Sequence, residues 1–482
     1  MSLKVQTFKG VKWTTSASLL ASFLQLAQLG ILARIFNATE FGFIALLTVV
    51  SGFAQAFADM GVSNAIIQKP YLSMVQLNTL YWLNIFSGLA VFLVVFFSAS
   101  IIAEFYQYPE LTYYIQLTAI GLFIQPFGQQ FLVLLQKELK FDELAKIDIV
   151  TKVMAFIVTL TMAFMGYGII SVVIGGLLGI LLQTLFLMYR GVKTYPVKLI
   201  FQLTEVKDFI RFGLYQMGEK ILNYFHGQID SLLIGKLLGM EALGIYNIAK
   251  QIIMKPAQII NPILTKVTFP VMAKVQEDTE KLKMVYLKSI NYLSSVNFPI
   301  YALIFFTIPE IVAWFLGGDW LEVIPLVHIL CIYGALRSIG NPVGSLLLAK
   351  GRADWGFYWN LVIVVYISLC IFIASRWGLV GIAWSWVFIM ASVTLPMWFF
   401  LVRPLCRASF SEYFLQITKP LSVTLLASVP IVILLYTMGE HLSSVVRVSL
   451  IGVIGFVFYV GISVLINKEF MQDMKQFIVR QP

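Results

Sequence analysis

Residues 33–45 read ARIFNATEFGFIA, and residues 235–247 read GKLLGMEALGIYN. When the two segments are aligned, Gly42 pairs with Gly244, 202 positions later. The apolar and polar positions around the paired glycines also correspond. One such match is weak evidence alone, so further matches in the same order are needed to indicate a repeat.

A second pair of segments supplies that evidence. Residues 166–175 read GYGIISVVIG and residues 376–385 read RWGLVGIAWS, and their alignment pairs Gly168 with Gly378. The order is the same as in the first pair and the spacing is nearly the same. Matches that recur in order at a fixed spacing indicate an internal repeat. The chain is therefore predicted to contain two equivalent halves.

The composition identifies the kind of element that is repeated. The chain has 482 residues, of which 59% are hydrophobic and only 12% charged. Soluble domains carry about 25% charged residues, whereas an apolar run of about 20 residues spans a bilayer as a helix. We predict an all-α integral membrane protein with about fourteen transmembrane helices, at 14–35, 41–66, 77–102, 111–135, 147–166, 169–189, 209–236, 242–265, 289–309, 324–349, 355–375, 378–402, 420–438 and 446–466.

The repeat divides these spans into two lobes of six helices. Because six is even, both lobes have the same orientation, and the pseudo-two-fold axis relating them runs along the membrane normal. The predicted divisions are an N-terminal lobe at 1–200, a C-terminal lobe at 201–407, and two additional helices with a cytoplasmic tail at 408–482. Transporters built from such repeats bind substrate between the halves.

Charges in the loops set the predicted orientation. With the N-terminus inside, nearly all Lys and Arg fall in inner segments, while the outer segments hold only Arg34, Lys236, Arg376 and Arg447. This asymmetry places both termini in the cytoplasm. The net charge of +10 therefore reports topology and does not indicate nucleic-acid binding. The three His residues lie far apart and the three Cys residues are isolated, so we predict no metal site and no cofactor.

Polar residues form stripes within the spans. In GEKILNYFHGQID, at 218–230, the polar positions recur every three or four residues, which places them on one helix face. Span seven thus presents Gln216, Glu219, Asn223, His226 and Asp230 together, and span two presents Ser51, Gln55 and Asp59. Charged groups are expensive in lipid, so we predict that these faces line a water-filled cavity. The alternative for the uncharged residues is hydrogen bonding between helices.

Cations outnumber acids in the predicted interior. Lys152, Lys220, Lys250, Lys255 and Arg337 stand against Asp59, Glu219 and Asp230. A cationic cavity suits an anionic substrate, above all a phosphate. The candidate substrate-binding residues are Lys220, Lys250, Lys255 and Arg337, with Arg34 and Lys236 at the outer mouth. For Arg34 and Lys236 the alternative is that they are span-end cations reaching the membrane surface.

Two further features of the interior carry predictions. Arg337 lies mid-span and is followed by Gly340, Asn341 and Pro342, which predict a helix break covered by protein or water. The second feature is a set of titratable groups, Asp59, Glu219, His226 and Asp230, that could couple transport to protons. The alternative is that these groups neutralise nearby lysines.

Six strings resemble the polysaccharide flippase family of the multidrug/oligosaccharidyl-lipid/polysaccharide exporter superfamily, and the likeness is closest to exporters of the colanic-acid type. The strings are LARIFNATEFG (32–42), DMGVSNAIIQK (59–69), TLYWLN (79–84), GQQFLVLLQKELKF (128–141), TKVTFPVMAKVQEDTEKLK (265–283) and LRSIGNPVGSLLLAKG (336–351). The likeness covers nearly the whole chain.

This resemblance implies a flippase of the bacterial inner membrane that works by alternating access. It would move an undecaprenyl-diphosphate-linked oligosaccharide repeat unit, with membrane lipids and the polymerase and glycosyltransferases of the same pathway as partners. One alternative is a multidrug or cation efflux transporter, whose cavity would favour acids. The other is a membrane enzyme such as a polymerase, but every outer loop is short and no nucleophile–base set appears, so we predict no enzymatic activity.

Overall fold

The computed structural model describes residues 3–58, 63, 66–67, 69, 71–438 and 442–479, with the side chains of 3–12, 212, 215, 219, 263, 266–267, 341, 353, 438 and 477–479 outside that description. Everything described is helix, turn or extended linker, without a β-strand. The chain forms two compact units, Met1–Gly244 and Ile245–Pro482. The division between lobes at 200 and 201 stays a prediction.

The first unit contains eight of the described α-helices. They are α1 Leu3–Leu32, α2 Ala38–Ala58, α3 Met74–Tyr106, α4 Leu111–Ile124, α5 Pro126–Lys137, α6 Phe141–Phe164, α7 Ile169–Thr194 and α8 Lys207–Leu237. Helix α6 packs between α1 and α7, α3 packs on α4, and α2 packs on α8. Buried apolar side chains of α3, α5 and α7, such as Leu80, Phe131 and Leu187, form the core between these helices.

Helix α9, Gly239–Lys274, contains the boundary between the units, and the remaining helices follow it. These are α10 Thr279–Ile311, α11 Val323–Ala349, α12 Ala353–Ala374, α13 Gly378–Met397, α14 Arg403–Cys406, α15 Phe410–Met438, α16 Ser444–Ile466 and α17 Lys468–Val479. Short π-helical turns occur at Val312–Leu316 and Trp398–Val402. Helices α11, α15 and α16 all pack on α10.

Among the described residues, ten helical stretches are long and apolar enough to cross a membrane, or eleven if the α4–α5 pair is one span. The chain is therefore an all-α, multi-pass membrane protein. The count of fourteen spans stays a prediction: the stretch Asp354–Cys406 covers two of the predicted spans, and the more polar α8 and α9 are not among the eleven.

The structure differs from the predicted helix breaks at two prolines, Pro126 and Pro342. The predicted span at 111–135 is two helices, α4 and α5, bent by 47° at Gln125 and Pro126. The predicted break at Gly340–Pro342 is wrong, because α11 continues through Pro342 to Ala349. A proline removes one backbone donor and crowds the preceding turn, but a helix packed on its neighbours can continue through it with a bend.

Gly168 and Gly378 support the repeat at the level of local conformation. Gly168 immediately precedes α7 and Gly378 is the first residue of α13, and their φ, ψ values are 54°, −138° and 66°, −159°. Only glycine adopts such backbone angles without strain. Two positions that the alignment pairs thus use the same turn before a helix.

The extended segment that joins α7 to α8 is bound to the first turns of α3. The side chain of Asn78 accepts a hydrogen bond from the backbone of Lys198 at 2.5 Å, and Thr79 accepts one from Gln202 at 3.1 Å. The indole of Trp82 donates to the carbonyl of Lys198 at 2.9 Å. Because Asn78 and Thr79 are buried, these bonds satisfy polar groups that would otherwise destabilise the unit.

The last two helices are held to α10 at three levels. Near one end, Arg447 donates to Glu310 at 2.8 Å. In the middle, Asn467 donates to Ser295 at 2.8 Å. At the other end Asp473 of α17 accepts from Lys288 at 3.0 Å and also from Tyr292. Helices α16 and α17 therefore belong firmly to the second unit.

Candidate functional site

A cavity of about 580 Å³ lies inside the first unit. Four elements line it: α2, α3, α8 and the bend between α4 and α5. Its polar wall consists of amides, one phenol and one amine, from Gln55, Asn84, Gln125, Gln129, Asn223, Tyr224 and Lys220. None of the described lining residues is acidic.

The bend between α4 and α5 places the amides. Gly88 of α3 makes room for it, since a Cβ atom there would lie 2.2 Å from Cγ of Pro126. The amide of Asn84, one turn earlier on α3, lies 3.4 Å from the Pro126 carbonyl oxygen, to which it donates. A kink frees backbone groups that need partners inside a membrane, and this amide supplies one. The bend also brings Gln125 and Gln129 to the same wall of the cavity.

The amides bind one another as well as facing the cavity. Gln55 of α2 donates from Nε2 to Oε1 of Gln125 at 2.8 Å. Gln129 lies 3.4 Å from the hydroxyl of Ser63. An amide side chain has two donor hydrogens and an acceptor oxygen, so each of these residues retains donors or acceptors for a ligand. This pattern is suited to hydroxyl-rich molecules.

Helix α8 closes the cavity and carries its cation. The hydroxyl of Tyr224 lies 3.2 Å from the carbonyl oxygen of Thr48 and 3.1 Å from that of Val49. Gly52 allows this contact, because a Cβ atom there would be 2.2 Å from the same hydroxyl. The half-buried Lys220 lies one helical turn before Tyr224 and lines the cavity.

The other predicted residues of the first unit do not line this cavity. Lys236 is exposed, donates to the carbonyl of Phe105 and lies 4.6 Å from the centroid of that ring. Arg34 is exposed in the turn after α1. The geometry of Lys236 matches the span-end alternative, in which an apolar stem packs on the helix and the amine reaches the surface.

The candidate coupling groups have different surroundings. Asp230 is fully buried, and its Oδ1 accepts hydrogen bonds from the backbone N–H of Ser231 at 2.8 Å and from its hydroxyl at 3.4 Å. His226 is half-buried on the same helix. Asp59 and the side chain of Glu219 lie outside the described part of the chain. No group of three or more His, Cys, Asp or Glu among the described residues could hold a metal ion.

In the second unit, Arg337 belongs to a chain of polar aromatic contacts. Its guanidinium donates to the hydroxyl of Tyr333 at 2.6 Å. The Tyr333 ring lies 5.0 Å from the ring of Trp386, whose indole donates to the hydroxyl of Tyr246 at 2.8 Å. Tyr333, Trp386 and Tyr246 are buried and come from α11, α13 and α9. Three helices therefore fix the position of the Arg337 side chain.

Lys250 and Lys255 are half-buried on α9, on either side of Ile253. The hydroxyl of Tyr301, from α10, donates to the Ile253 carbonyl at 3.2 Å, and the Tyr301 ring fills the space left by Gly334 on α11. Gly334 lies one turn before Arg337. Tyr301 thus connects the helix that carries both lysines with the helix that carries the arginine.

Sequence reasoning identified Gln55, Asn223 and Lys220 but missed Asn84, Gln125, Gln129 and Tyr224. Helix-period spacing identified Gln55 and Asn223, whereas Lys220 was identified by its charge. For the amides of the bend, the available signal was Pro126 in the middle of a predicted span, between Gln125 and Gln129. Tyr224 could be linked to the site only by its contact with the backbone of α2.

Comparison with known proteins supplies an independent line of evidence. A model of the family described as "Polysaccharide biosynthesis protein" matches residues 31–325. The chain is 32% identical over 440 residues to lipopolysaccharide biosynthesis protein WzxC of Escherichia coli (strain K12), covering 91% of this chain and 89% of that protein. It is 35% identical over 427 residues to teichuronic acid biosynthesis protein TuaB of Bacillus subtilis (strain 168), covering 88% of each.

A solved structure shares the fold. The structure titled lipid II flippase MurJ, inward closed conformation, superposes with a TM-score of 0.75 over 96% of this chain and 99% of that chain, at 13% identity. Identity this low carries the fold and no more.

Proposed function

The chain belongs to the polysaccharide biosynthesis protein family, and from that premise we propose that it flips a lipid-linked oligosaccharide repeat unit across the bacterial cytoplasmic membrane. Its relatives are named for the biosynthesis of lipopolysaccharide and teichuronic acid, both polysaccharides. The structure that shares its fold is titled a lipid II flippase. A chain of membrane-spanning helices with a polar cavity is suited to moving sugars through a bilayer.

The single observation that carries this proposal is the chemistry of the cavity in the first unit. Its polar wall is dominated by amides, which hydrogen-bond sugar hydroxyls both as donors and as acceptors. Its one described charge is Lys220, and a lysine binds phosphate as a point charge. Sugars would occupy the amide wall and the diphosphate would approach Lys220, while the undecaprenyl chain would remain in the membrane.

The remaining cations extend this proposal to the rest of the chain. Lys250, Lys255 and Arg337 are proposed to bind the diphosphate at another stage of transport, and Arg34 and Lys236 to bind it near the outer surface. Alternating access of the two lobes would present these groups in sequence. Both termini are proposed to face the cytoplasm, where the glycosyltransferases that build the repeat unit act, and the polymerase would receive the product outside.

Proton coupling is a separate proposal. The full burial of Asp230 and the partial burial of His226 support it, since ionisable groups inside membrane-spanning helices often mark proton pathways. Asp59 and Glu219 are proposed to act with them. If an imposed pH gradient leaves the rate of reconstituted transport unchanged, these acids only balance charge.

A multidrug or cation efflux transporter is the second candidate. An efflux site for cations requires acidic side chains, whereas the described lining of the cavity contains one lysine and no Asp or Glu. Resistance of expressing cells to cationic dyes would separate the two, because a flippase for an anionic lipid-linked sugar would not confer it.

The test uses purified protein in proteoliposomes with a lipid-linked oligosaccharide on one side. Lys220→Gln is expected to lower the initial rate at least tenfold, because a hydrogen bond to a charged group contributes ~1.5–3 kcal/mol. Gln125→Leu is expected to lower it as well, by removing a sugar-binding amide.

Lys152→Gln is the matched control. Lys152 was predicted to be an interior cation, but it is exposed, forms an ion pair with Asp148 at 2.8 Å on its own helix, and does not line the cavity. Wild-type rates for Lys220→Gln and Gln125→Leu would exclude this cavity as the site. Absence of flipping by the wild type with any lipid-linked sugar would exclude the function itself.

A further inference from the structure

A second cavity, a groove of about 1050 Å³, lies in the other unit beside α12. Its walls are apolar and rich in aromatic side chains, and two arginines also line it. The residues that define it are Trp355, Tyr358, Phe399, Phe400, Arg403 and Arg407. These residues are distant in sequence from those proposed to bind the transported sugar. The groove lies at the end of α12 that is predicted to face the cytoplasm.

The π-helical turn at Trp398–Val402 forms one wall of the groove. Such a turn holds an extra residue and so changes which side chains point outward. Phe399 and Phe400 are 48% and 60% exposed, in contrast to the buried Leu401 and Val402 that follow them. Two adjacent aromatic rings of a membrane-spanning segment therefore point away from the core of the unit.

The turn after α14 determines the position of the two arginines that line the groove. Arg407 has φ 55°, a left-handed conformation that ends the helix. The indole of Trp398 donates to the carbonyl oxygen of Ala408 at 3.0 Å, and Ala408 is fully buried. The backbone that carries both arginines is thus held in place by the core of the unit, so the groove is preformed.

The acids near the groove already have partners. Glu412 accepts hydrogen bonds from the backbone and the hydroxyl of Ser409 at 2.8 and 2.9 Å, and Lys283 lies 3.4 Å away. Asp354 forms a two-point ion pair with Arg352. The guanidinium of Arg403 instead forms cation–π contacts, at 5.8 Å from the ring centroid of Trp398 and 5.7 Å from that of Phe399.

Within the described part of the chain, the guanidinium groups of Arg403 and Arg407 form no ion pair and no hydrogen bond. Both side chains are exposed. Two exposed cations therefore line an apolar groove at the surface of the unit. That combination matches a molecule with an anionic head and an apolar tail.

We propose that this groove binds one anionic phospholipid of the cytoplasmic leaflet. Its phosphate lies between Arg403 and Arg407, and an acyl chain lies along Tyr358, Phe399 and Phe400. Each basic residue near an anionic membrane surface contributes attraction, and planar guanidinium groups bind phosphate oxygens in pairs. The open side of the groove lets a lipid enter from the bilayer without crossing the protein. Ordinary interfacial aromatics would account for the rings alone, but they do not require a concave groove or two arginines without an acidic partner.

The test is native mass spectrometry of the detergent-purified protein with dioleoylphosphatidylglycerol and, separately, dioleoylphosphatidylcholine. The wild type is expected to retain at least one phosphatidylglycerol in preference to phosphatidylcholine. Arg403→Gln with Arg407→Gln is expected to weaken that binding about tenfold, consistent with the loss of two surface cations. Val362→Trp, which fills the groove from α12 and keeps both arginines, is expected to weaken binding of both lipids.

Arg376→Gln is the matched control. Arg376 is also exposed and also adjoins an exposed aromatic, Trp377, but it lies in the turn at the opposite end of α12. An equal loss of phosphatidylglycerol in this variant would show general surface attraction and overturn the proposal, as would a wild type without headgroup preference. Undecaprenyl phosphate is added as a competitor. If it displaces phosphatidylglycerol at equal concentration, the groove is a carrier-lipid site and the phospholipid assignment is wrong.

Discussion

Gly42 and Gly244, which the internal repeat pairs, each lie against the backbone of the other's helix. A Cβ atom at Gly42 would be 1.9 Å from the carbonyl oxygen of Met240, and one at Gly244 would be 1.8 Å from that of Ala38. Ala38 and Met240 are 202 positions apart, as the two glycines are. The contact between the first turns of α2 and α9 is therefore reciprocal, as contacts about a two-fold axis are. The axis that relates whole lobes stays a prediction.

Alanine at either glycine is expected to destabilise the protein. Neither Cβ atom can be accommodated unless backbone moves, and overpacking of this kind costs ~1–3 kcal/mol. The measurement is thermal unfolding of the purified variants in detergent. Gly176→Ala is the control, because a Cβ atom at that helical glycine meets nothing within 4 Å. Alanine is the better helix former, so the control is expected to unfold at the wild-type temperature or above. Equal midpoints for all three variants would contradict the close contact.

The ion pair between Glu310 and Arg447 is expected to contribute most of the attachment of α16 near that end. Glu310 is only 7% exposed, so Arg447→Gln leaves a buried carboxylate without its cation, which costs ~3 kcal/mol. The double variant Glu310→Gln with Arg447→Gln is expected to recover part of that loss. Lys152→Gln, which breaks an exposed pair, is expected to cost ~1 kcal/mol or less. A double variant less stable than the single one would argue against this account.

Docking of α17 is expected to depend on pH through Asp473. The hydrogen bond from Tyr292, followed by that from Lys288, holds the pKa of the Asp473 carboxyl below its ordinary value. A carboxyl with a lowered pKa stabilises the fold above its ordinary pKa of about 4, and that stabilisation is lost as pH falls through the lowered value.

The difference in unfolding temperature between the wild type and Asp473→Asn reports this effect. It is expected to be constant from neutral pH to about pH 5 and to shrink at lower pH. A difference that persists unchanged well below the ordinary carboxyl pKa would mean that Asp473 acts through packing and not through its charge.

Two prolines show which part of this fold could be predicted and which could not. Apolar runs predicted the helices, because crossing a membrane requires a fixed length of apolar sequence. The sequence around Pro126 and that around Pro342 look equally able to break a span. At Pro126 the helix bends, and Gly88 on a neighbouring helix leaves room for its ring. Helix α11 continues through Pro342, so the presence of a proline in a span does not by itself predict a break.

The candidate site, too, could be predicted from the sequence only in part. The spacing of Gln55 and of Asn223 relative to their polar neighbours predicted polar helix faces, since residues three and four apart share a face, and Lys220 was selected by its charge. It could not predict that Gln55 binds Gln125, because that bond depends on the bend between α4 and α5. Alignment of the repeat likewise paired Gly42 with Gly244, but contact between paired positions is a property of the assembled helices.

The last prediction concerns how Arg337 is held. If the guanidinium binds substrate phosphate, its orientation matters as well as its charge, because a planar fork binds two oxygens only when correctly aligned. Tyr333→Phe removes the hydroxyl that accepts from Arg337 at 2.6 Å but keeps the ring in contact with Trp386. We expect a roughly fivefold lower rate of flipping in proteoliposomes, which is ~1 kcal/mol. This is less than the ~1.5–3 kcal/mol of a hydrogen bond to a charged group, because the arginine keeps its charge.

The ordering of four variants separates position from charge. Arg337→Gln is expected to lower the flipping rate most and Arg337→Lys less, because lysine restores the charge without the fork. Tyr333→Phe is expected to follow, and Trp386→Phe to have the smallest effect, since it acts on Arg337 only through Tyr333. Thermal unfolding of each variant provides the control for folding. A Tyr333→Phe rate equal to the wild type, beside an inactive Arg337→Gln, would show that charge alone matters. A wild-type rate for Arg337→Gln would show that Arg337 takes no part in transport. If the loss of the whole guanidinium has no effect, its orientation can have none.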